Sequence, residues 1–491
     1  MVTHGHDEEA SGEQAEADGI ALVGARRPLP LVVAIERHAA EVTVLCGPAA
    51  TATVAPKVVA SPVGVPSRAG DPLPDGGPSL EGRPPPDSRP SLDSRPPPDS
   101  RPSPDSRPSL DAMVRRAIAV GLRRIEIVAW RDIDDPEAGG SELHAHRVAS
   151  LWSDAGLQVR LTTSAVAQGV PVVHRDGYIA ERRFGRYAIF PRTVVRNLVG
   201  RTDRDGLVEV WNGMPFLSPL WARCPRVVFL HHVHAEMWQM ALPGPLARLG
   251  DIVERRVAPR LYRSSAVVTL SASSRAEIVS MLGLQPERVS VVPPGVDPRF
   301  GPAGVRDRDP LVVAVGRLVP VKRFGSLVDA LVQLRARHPR LRAVIVGEGY
   351  ERSAIEARID RCGAGSWVDL VGRVGDDELV ALYQRAWVLV SLSQREGWGM
   401  TITEAAACGT PAVASRIAGH ADAVVDGVTG LLATGTEELV TRLDQVLSDE
   451  VLRSRLGRQA QAHAGRLTWE ATALGTLEVL VAEAQAAAAP R

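Results

Sequence analysis

The chain has 491 residues, of which 45% are hydrophobic and 23% charged, a globular composition long enough for two or three domains. Residues 1–112 hold 16 Asp+Glu and 10 Lys+Arg. Subtracting these from 57 and 57 leaves 41 acidic and 47 basic residues for 113–491, a net charge of +6. That mild excess suits an anionic small molecule or an acidic membrane surface; it is too small for a nucleic-acid binder, and no basic run carries interleaved aromatics.

No run of about 18 apolar residues is present to span a membrane, and the acidic N-terminus lacks a signal-peptide layout. Cys46, Cys224, Cys362 and Cys408 are far apart, which argues against a disulfide scaffold or a zinc site. A cytoplasmic protein is the expectation.

In chain order, residues 78–111 repeat a six-residue unit (PPPDSR, PSLDSR). Proline recurs too often there for helix or strand, so 1–112 is expected to be a disordered, proline-rich tail. Met113 opens MVRRAIAVGLRRIEIVAW, the expected start of a domain; a start codon assigned too far upstream is a second reading. Strands are predicted at Ile125–Trp130, Val159–Thr163, Leu207–Val210, Arg226–Leu230, Ala266–Leu270 and Val289–Val292. Helices are predicted over Ser141–Ala155, a long arginine-rich segment 245–263, and 273–282. Pro293-Pro294-Gly295 breaks the chain.

A second series starts at Leu311–Val315. It continues with helix 324–337, strand 342–346, helix 351–361, strand 367–371 and helix 376–385, then strand 387–391, helix 401–408, strand 411–415 and a final helical region. Short apolar runs alternating with amphipathic helices imply parallel sheets with right-handed crossovers. The expected fold class is α/β, with two tandem Rossmann-like, doubly wound domains at 113–300 and 301–467 and a helical segment at 468–491. Ligands of such sheets sit beyond the C-terminal strand ends, so a cleft between the domains is the default site.

Four groups of residues carry chemistry. Gly139-Gly140-Ser141-Glu142 follows the first strand; glycines let a loop approach a ligand, and the helix behind them offers free N–H groups to an anion. An ordinary strand-to-helix turn is the competing reading. Gly316-Arg317-Leu318-Val319-Pro320-Val321-Lys322 follows the first strand of the second series. There a guanidinium fork and an ammonium can converge on a diphosphate. The chain has only two lysines, Lys57 and Lys322, against 55 arginines, which singles Lys322 out.

Glu396-Gly397-Trp398-Gly399-Met400-Thr401-Ile402-Thr403-Glu404 sets two carboxylates eight apart across a glycine loop and a helix start. The amides between them suit an anion or sugar hydroxyls. His231-His232-Val233-His234 follows the fourth strand. Alternate residues there diverge, so a metal set is disfavoured against one histidine lining the cleft. Gly347-Glu348-Gly349 lacks the third glycine of the dinucleotide fingerprint, which argues against a nicotinamide oxidoreductase.

Together these residues resemble the family 4 retaining glycosyltransferases of the GT-B fold. The likeness runs over about 124–480, through VFLHH, VVPPGVDPRF, VGRLVPVK, VIVGEGYER, LVGRV, SQREGWGMTITEAAACGTPAVAS and VVDGVTGLL. It implies transfer of a sugar from a UDP- or GDP-linked donor with retention, without metal and without a cofactor, since the nucleotide-sugar is a substrate. It implies that Arg317 and Lys322 hold the donor diphosphate and that Glu404 binds the ribose. Glu396 with the amides of Gly397, Trp398, Gly399, Met400 and Thr401 would hold the sugar, and backbone at Arg373-Val374 would contact the base. Gly139 and Gly140 would admit phosphate and acceptor. His231 would face the transferred sugar, or His232 by a one-residue shift. Asn212, His232 and His234 would line the acceptor side.

The family often has glycine after the motif lysine, where this chain has Arg323. The segment beginning Thr468-Trp469-Glu470 resembles a final helix crossing back to the first domain. A sugar, lipid-linked molecule or other small molecule could be the acceptor. Arg248, Arg255, Arg256, Arg260 and Arg263, interleaved with Leu246, Leu249, Ile252 and Val253, could make a membrane-surface helix at the inner face. An amphipathic helix packed on the sheet is the competing reading. Alternatives on the same scaffold are a phosphorylase, a sucrose- or trehalose-type synthase, or a nucleotide-sugar-binding protein without turnover.

Overall fold

The computed structural model describes residues 108–200, 203–242 and 244–489. The expected disordered tail falls almost wholly at 1–107, outside the described residues.

The first sheet has eight strands: β1 (Arg124–Val128), β2 (Gln158–Thr163), β3 (Val172–Arg175), β4 (Tyr178–Arg182), β5 (Gly206–Val210), β6 (Arg226–Phe229), β7 (Ala266–Thr269) and β8 (Val289–Val291). Their order is β3-β4-β2-β1-β5-β6-β7-β8, parallel except for the β3–β4 pair. The second sheet has β9 (Leu311–Val315), β10 (Arg342–Val346), β11 (Val368–Gly372), β12 (Val388–Ser391), β13 (Ala412–Ser415) and β14 (Gly430–Ala433), in the parallel order β11-β10-β9-β12-β13-β14. This is the doubly wound pair read from the periodicity. The β3–β4 hairpin and β14 are additions. Val172 is 47% exposed at the first sheet's edge, so this short strand lacks the unbroken apolar run that marks a central one.

Both faces of each sheet are covered, which explains the near-continuous apolar strands. Ile125, Ile127, Val208, Val210 and Phe229 face one way, against helices Leu110–Ala119, Gly140–Asp154 and Trp469–Ala488. Val128, Leu207, Val228 and Val267 face the other, where Ile189, Phe216 and Tyr262 are buried. The final helix buries Leu477 and Leu480 completely and accepts the Trp152 indole N–H at the Ala473 carbonyl, 3.0 Å. It therefore packs into the core of the first domain. Two strands of chain join the domains side by side. Val296 N–H donates to the Leu467 carbonyl at 3.0 Å, Thr472 Oγ1 donates to the Pro293 carbonyl at 2.8 Å, and Gly295 lies against the backbone of Thr468 and Trp469.

Two local departures have physical causes. Helix Leu110–Ala119 takes in Leu110–Ala112, which the composition assigned to the tail; Ser109 caps it, its Oγ accepting from Ala112 N–H at 3.2 Å. The helix expected over 245–263 is one continuous helical run, but not uniformly α: Gly244–Ile252 passes through a π turn at Val253–Val257 into Ala258–Tyr262. Pro259 has no N–H to give the preceding turn, and the wider turn absorbs the loss. Arg248, Arg255, Arg256, Arg260 and Arg263 on this segment are all exposed. Ile252 and Val257 are exposed among them at 45% and 40%.

Candidate functional site

In each sheet the strand order reverses next to its first strand: β1 lies between β2 and β5, and β9 between β10 and β12. Loops leaving such a reversal part to opposite faces and open a crevice at the C-terminal strand ends. The sequence places its chemistry there. Gly139 and Gly140 follow β1, Asn212 follows β5, Arg317 and Lys322 follow β9, and Glu396 follows β12.

The two sets of loops meet. A side-chain carbon on Gly140 would come within 2.9 Å of Met400 Sδ, and one on Gly139 would lie 3.7 Å from Arg317 Nε. One on Gly397 would strike the His231 backbone carbonyl. Of the three, Gly397 is needed for close approach between the domains, because it faces backbone; at Gly140 the flexible Met400 side chain can give way, and at Gly139 the contact would be an ordinary one. Gly399, by contrast, is needed for its backbone: it caps helix Met400–Ala407 at φ +105°. The same reasoning applies to the residue after the motif lysine. Arg323 caps helix Phe324–Arg335 with φ +55° and ψ +38°, the left-handed region that glycine enters without strain.

Lys322 Nζ and Glu396 Oε1 form an ion pair, and Ser393 Oγ donates to the same carboxylate oxygen at 2.6 Å. His420 Nε2 stands 3.9 Å from it. Burial alone would raise the Glu396 pKa, but the Lys322 ammonium and His420 draw it well below the ordinary carboxylate value. Glu396 is thus a fixed anion. Glu404 is the opposite case: burial pushes it up to about 7, against the hydrogen bond that Tyr383 Oη donates to its Oε2 at 3.1 Å. Arg317 has no hydrogen-bond or ion-pair partner among the described residues, and burial with the nearby Arg131 guanidinium lowers its pKa. The guanidinium is half-buried, and the Glu142, Glu137 and Glu396 carboxylates that oppose this shift act on it without a hydrogen bond.

Trp398 is 5% exposed and its ring packs in the second domain's core with Leu389 and Ile402, so its side chain belongs to the fold. Val374 packs at the edge of the same core. Met400 and Thr401 occupy the first turn of the helix, where backbone N–H groups lack intrahelical partners. Asn212 Nδ2 donates to Ser141 Oγ at 2.9 Å, which ties the β5 loop to the Gly139–Gly140 turn.

The histidines divide. His231 Nε2 shares a 2.8 Å hydrogen bond with His144 Nδ1, and His144 stacks on Phe229 at 4.6 Å. His231 is therefore turned into the first domain, with its pKa lowered to about 4 by burial. His232 stacks on His234 at 5.2 Å. Burial and then His234 hold its pKa well below normal, and Glu396 across the cleft opposes this. His234 is lowered to about 4 by burial and then by Arg131, Arg317 and Arg395. Among the described residues no group of three or more His, Cys, Asp or Glu is placed to hold a metal ion.

Two contributors were given no role of their own from the sequence. Glu142, quoted with its glycines, accepts from Gly139 N–H at 2.8 Å, Ser141 Oγ at 2.9 Å and Arg131 Nε at 3.3 Å, and so props the loop. Glu254, from the π turn, accepts from the backbone of His234 and Ala235 and from the Trp238 indole at 2.7, 3.0 and 3.0 Å. It holds the histidine loop from a helix 20 residues away in sequence.

Comparison with known proteins agrees with this anatomy. Residues 138–300 match the model of Glycosyltransferase Family 4, and 299–463 that of Glycosyl transferases group 1. The D-inositol 3-phosphate glycosyltransferase of Salinispora arenicola is 30% identical over 409 residues, 72% of this chain and 89% of its own. That of Stackebrandtia nassauensis is 29% identical over 422 residues, 74% of this chain and 93% of its own. Among solved structures, sucrose-phosphate synthase from Thermosynechococcus elongatus superposes with a TM-score of 0.62 at 22% identity, over 72% of this chain and 97% of its own. Anabaena HepE in complex with UDP-glucose superposes at 0.57 and 21%, over 74% and 99%. The boundary between the two family models falls where the chain crosses from one sheet to the other, and the relatives span both sheets: the chain is a member of glycosyltransferase family 4, built on the GT-B fold.

Proposed function

We propose that the protein transfers a glycosyl group from a UDP- or GDP-sugar to a hydroxyl of a small acceptor, with retention at the anomeric carbon and without a metal. The observation that carries this is the half-buried Arg317, without a hydrogen-bond or ion-pair partner among the described residues, beside the Lys322–Glu396 pair, at the β9 reversal and facing the Gly139–Gly140 turn. The donor diphosphate is the anion that completes this set. Arg317, Lys322 and the first-turn amides of Met400–Ala407 lie around its phosphates, Glu404 takes the ribose hydroxyls, Glu396 takes sugar hydroxyls, and backbone at Val374 meets the base.

As the bond to the anomeric carbon breaks, negative charge grows on the leaving phosphate. Fixed cations and amides stabilise that charge more in the transition state than in the ground state. No carboxylate is assigned as a nucleophile. Attack is therefore drawn on the leaving group's face, with the departing phosphate accepting the acceptor's proton; a covalent glycosyl-enzyme is the rival mechanism.

The relatives named for D-inositol 3-phosphate make a phosphorylated polyol the first acceptor to try. A panel of UDP- and GDP-sugars, assayed for nucleoside diphosphate release with that acceptor and in chelator, tests the reading. Turnover that persists in chelator with an α-linked product from an α-linked donor is expected. Inversion, or loss in chelator with recovery on magnesium or manganese, would sink the corresponding clause. Phosphate-dependent release of a sugar phosphate would favour the phosphorylase alternative. Contact of the exposed Arg248–Arg263 stretch with anionic lipid belongs to the same reading; co-flotation with phosphatidylglycerol vesicles but not phosphatidylcholine vesicles is its test.

A further inference from the structure

Arg395 immediately precedes Glu396 in the loop after β12, yet its side chain is engaged wholly with the other domain. Nε donates to the Val233 carbonyl at 2.7 Å, and the terminal nitrogens donate to Glu236 Oε2 at 3.0 Å and Glu277 Oε1 at 2.7 Å. The guanidinium side chain is 16% exposed, as is that of Glu396. Glu236 is 69% exposed, and an ion pair so open contributes little. The weight falls on the Val233 carbonyl and on Glu277, where a charged donor meets a partly buried acceptor.

Glu277 lies on helix Ala272–Leu282 of the first domain, whose N-terminus is also held by the second. Asp422, in the short helix His420–Ala423, accepts from Ala272 N–H at 3.1 Å and Ser273 N–H at 3.2 Å, and from the Ser273 hydroxyl. Gly419 N–H donates to Ser273 Oγ at 2.8 Å, and Ser274 Oγ donates to the Gly397 carbonyl at 3.2 Å. One helix therefore binds the second domain at two places a turn apart, Asp422 at its start and Arg395 at Glu277. Both residues next to Glu396 are held by the first domain, Arg395 by its side chain and Gly397 by its carbonyl. The Glu396 carboxylate itself is held by Lys322 and Ser393 of the second.

We infer that Arg395, with Asp422, is an interdomain latch, and that Arg395 is a positioning residue which sets Glu396 against the donor sugar only when the domains are closed. The role at Glu396 rests on the glycosyltransfer reading above; the latch does not. When the cleft opens, Arg395 and Gly397 lose their first-domain partners and the backbone of Glu396 loses both of its anchors. Closure restores them and completes the site.

The test uses the full chain with Arg395→Ala, Arg395→Lys, Glu277→Gln and the Arg395→Ala/Glu277→Gln pair. Amide hydrogen exchange is followed over 231–236, 271–282 and 395–399, with and without UDP, alongside UDP calorimetry and steady-state kinetics with an accepted donor. In Arg395→Ala the three segments should exchange faster while the rest of the chain is unchanged. UDP affinity should hold, because the nucleotide is assigned to the second domain. Turnover kcat should fall about ten- to hundredfold, the scale of a small misplacement at a reacting centre. Arg395→Lys should recover part of kcat, and the double variant should be no worse than Arg395→Ala alone, since truncating Arg395 already removes its contact with Glu277 along with the other two.

Unchanged exchange in the three segments would overturn the latch. Exchange that rises throughout the chain would reduce Arg395 to a general structural role. Faster exchange with unaltered kcat would remove the positioning of Glu396 while leaving the latch. If the native protein turns over no donor but the Arg395-dependent exchange persists, the glycosyltransfer reading fails and the latch stands.

Discussion

Glu396 and Glu404 sit eight residues apart, and their surroundings push them in opposite directions, the first well below the ordinary carboxylate range and the second up to about 7. Their losses should therefore differ in kind. Removing a charged acceptor from a hydroxyl pair costs on the order of 1.5–3 kcal/mol, about ten- to hundredfold. Glu404→Ala should weaken free nucleoside diphosphate and intact donor alike, a rise in KM. Glu396→Ala should leave nucleoside diphosphate affinity nearly unchanged and lower kcat. Calorimetry with UDP and GDP beside steady-state kinetics separates them; equal loss of nucleotide affinity in both would show the roles to be misassigned.

Glu404 also predicts a pH profile. Ribose hydroxyls donate to the ionised carboxylate, so affinity should fall as pH drops below about 7, where the acid form takes over, and level off once about ten- to hundredfold is lost. The folded pKa is raised above the ordinary 4.5. Burial of Glu404 therefore costs no stability below that value and costs progressively more as pH rises to about 7. Glu404→Gln should flatten the profile of UDP binding. An equal slope in the variant would place the titration elsewhere.

At the scale of the element, a local backbone rule is broken at the end of the loop Arg317–Arg323, beside the residues proposed to hold the donor. Arg323 holds a left-handed backbone at φ +55°, where a side chain costs roughly 1–2 kcal/mol. Arg323→Gly relieves that strain but adds freedom to the unfolded chain, worth about 0.4–1 kcal/mol in the other direction. A net gain of about 0.5–1 kcal/mol is expected from the shift in denaturation midpoint. A loss would mean that the Arg323 side chain contributes more than its backbone costs. The helix starting at Met400 illustrates a second constraint. Its cap, Gly399, must be left-handed, and Gly397 must be small because the His231 carbonyl lies against it. Gly397→Ala should keep the second domain folded but hold the domains apart, so nucleoside diphosphate still binds while kcat falls about tenfold or more. Tight nucleotide binding with full turnover would show that the contact is dispensable.

For the molecule as a whole, the first domain is assembled from both ends of the described chain. Helix Leu110–Ala119 buries Met113, Val114 and Ala117, and Arg116 reaches Gln485 Oε1 of the final helix at 3.2 Å. A chain beginning at Pro108 should match the full-length protein in stability and turnover. One beginning at Met113 should still fold and turn over donor, but it loses the Ser109 cap, worth about 1 kcal/mol. Its melting temperature should fall by roughly 2–4 °C. Identical melting of the two truncated chains would show that the first turn adds nothing, and loss of soluble protein at Pro108 would show that residues 1–107 pack on the domain.

Periodicity and punctuation determined the architecture: apolar runs of four to six residues between amphipathic helices leave little besides parallel sheets, and Pro293-Pro294-Gly295 marks the crossing between them. The residues proposed for the donor side were singled out for the same local reason. A glycine loop, a lone lysine and two glutamates in short stretches after strands keep their relation whatever the rest of the chain does. What surrounds them was not legible, because it depends on which distant segments the sheets bring together. Arg395 reads as a surface arginine until helix Ala272–Leu282 is docked against it. The three histidines after β6 look alike in sequence, and only packing turns His231 toward His144 and sets His232 near Glu396. The π turn within the 245–263 helix follows from Pro259, a local signal. The purpose of Glu254 there, holding the histidine loop, follows from contacts made across the fold. Local sequence specifies backbone conformation and residue chemistry; burial, and with it the charge state of Glu396 and Glu404, is a property of neighbours that tertiary structure alone supplies.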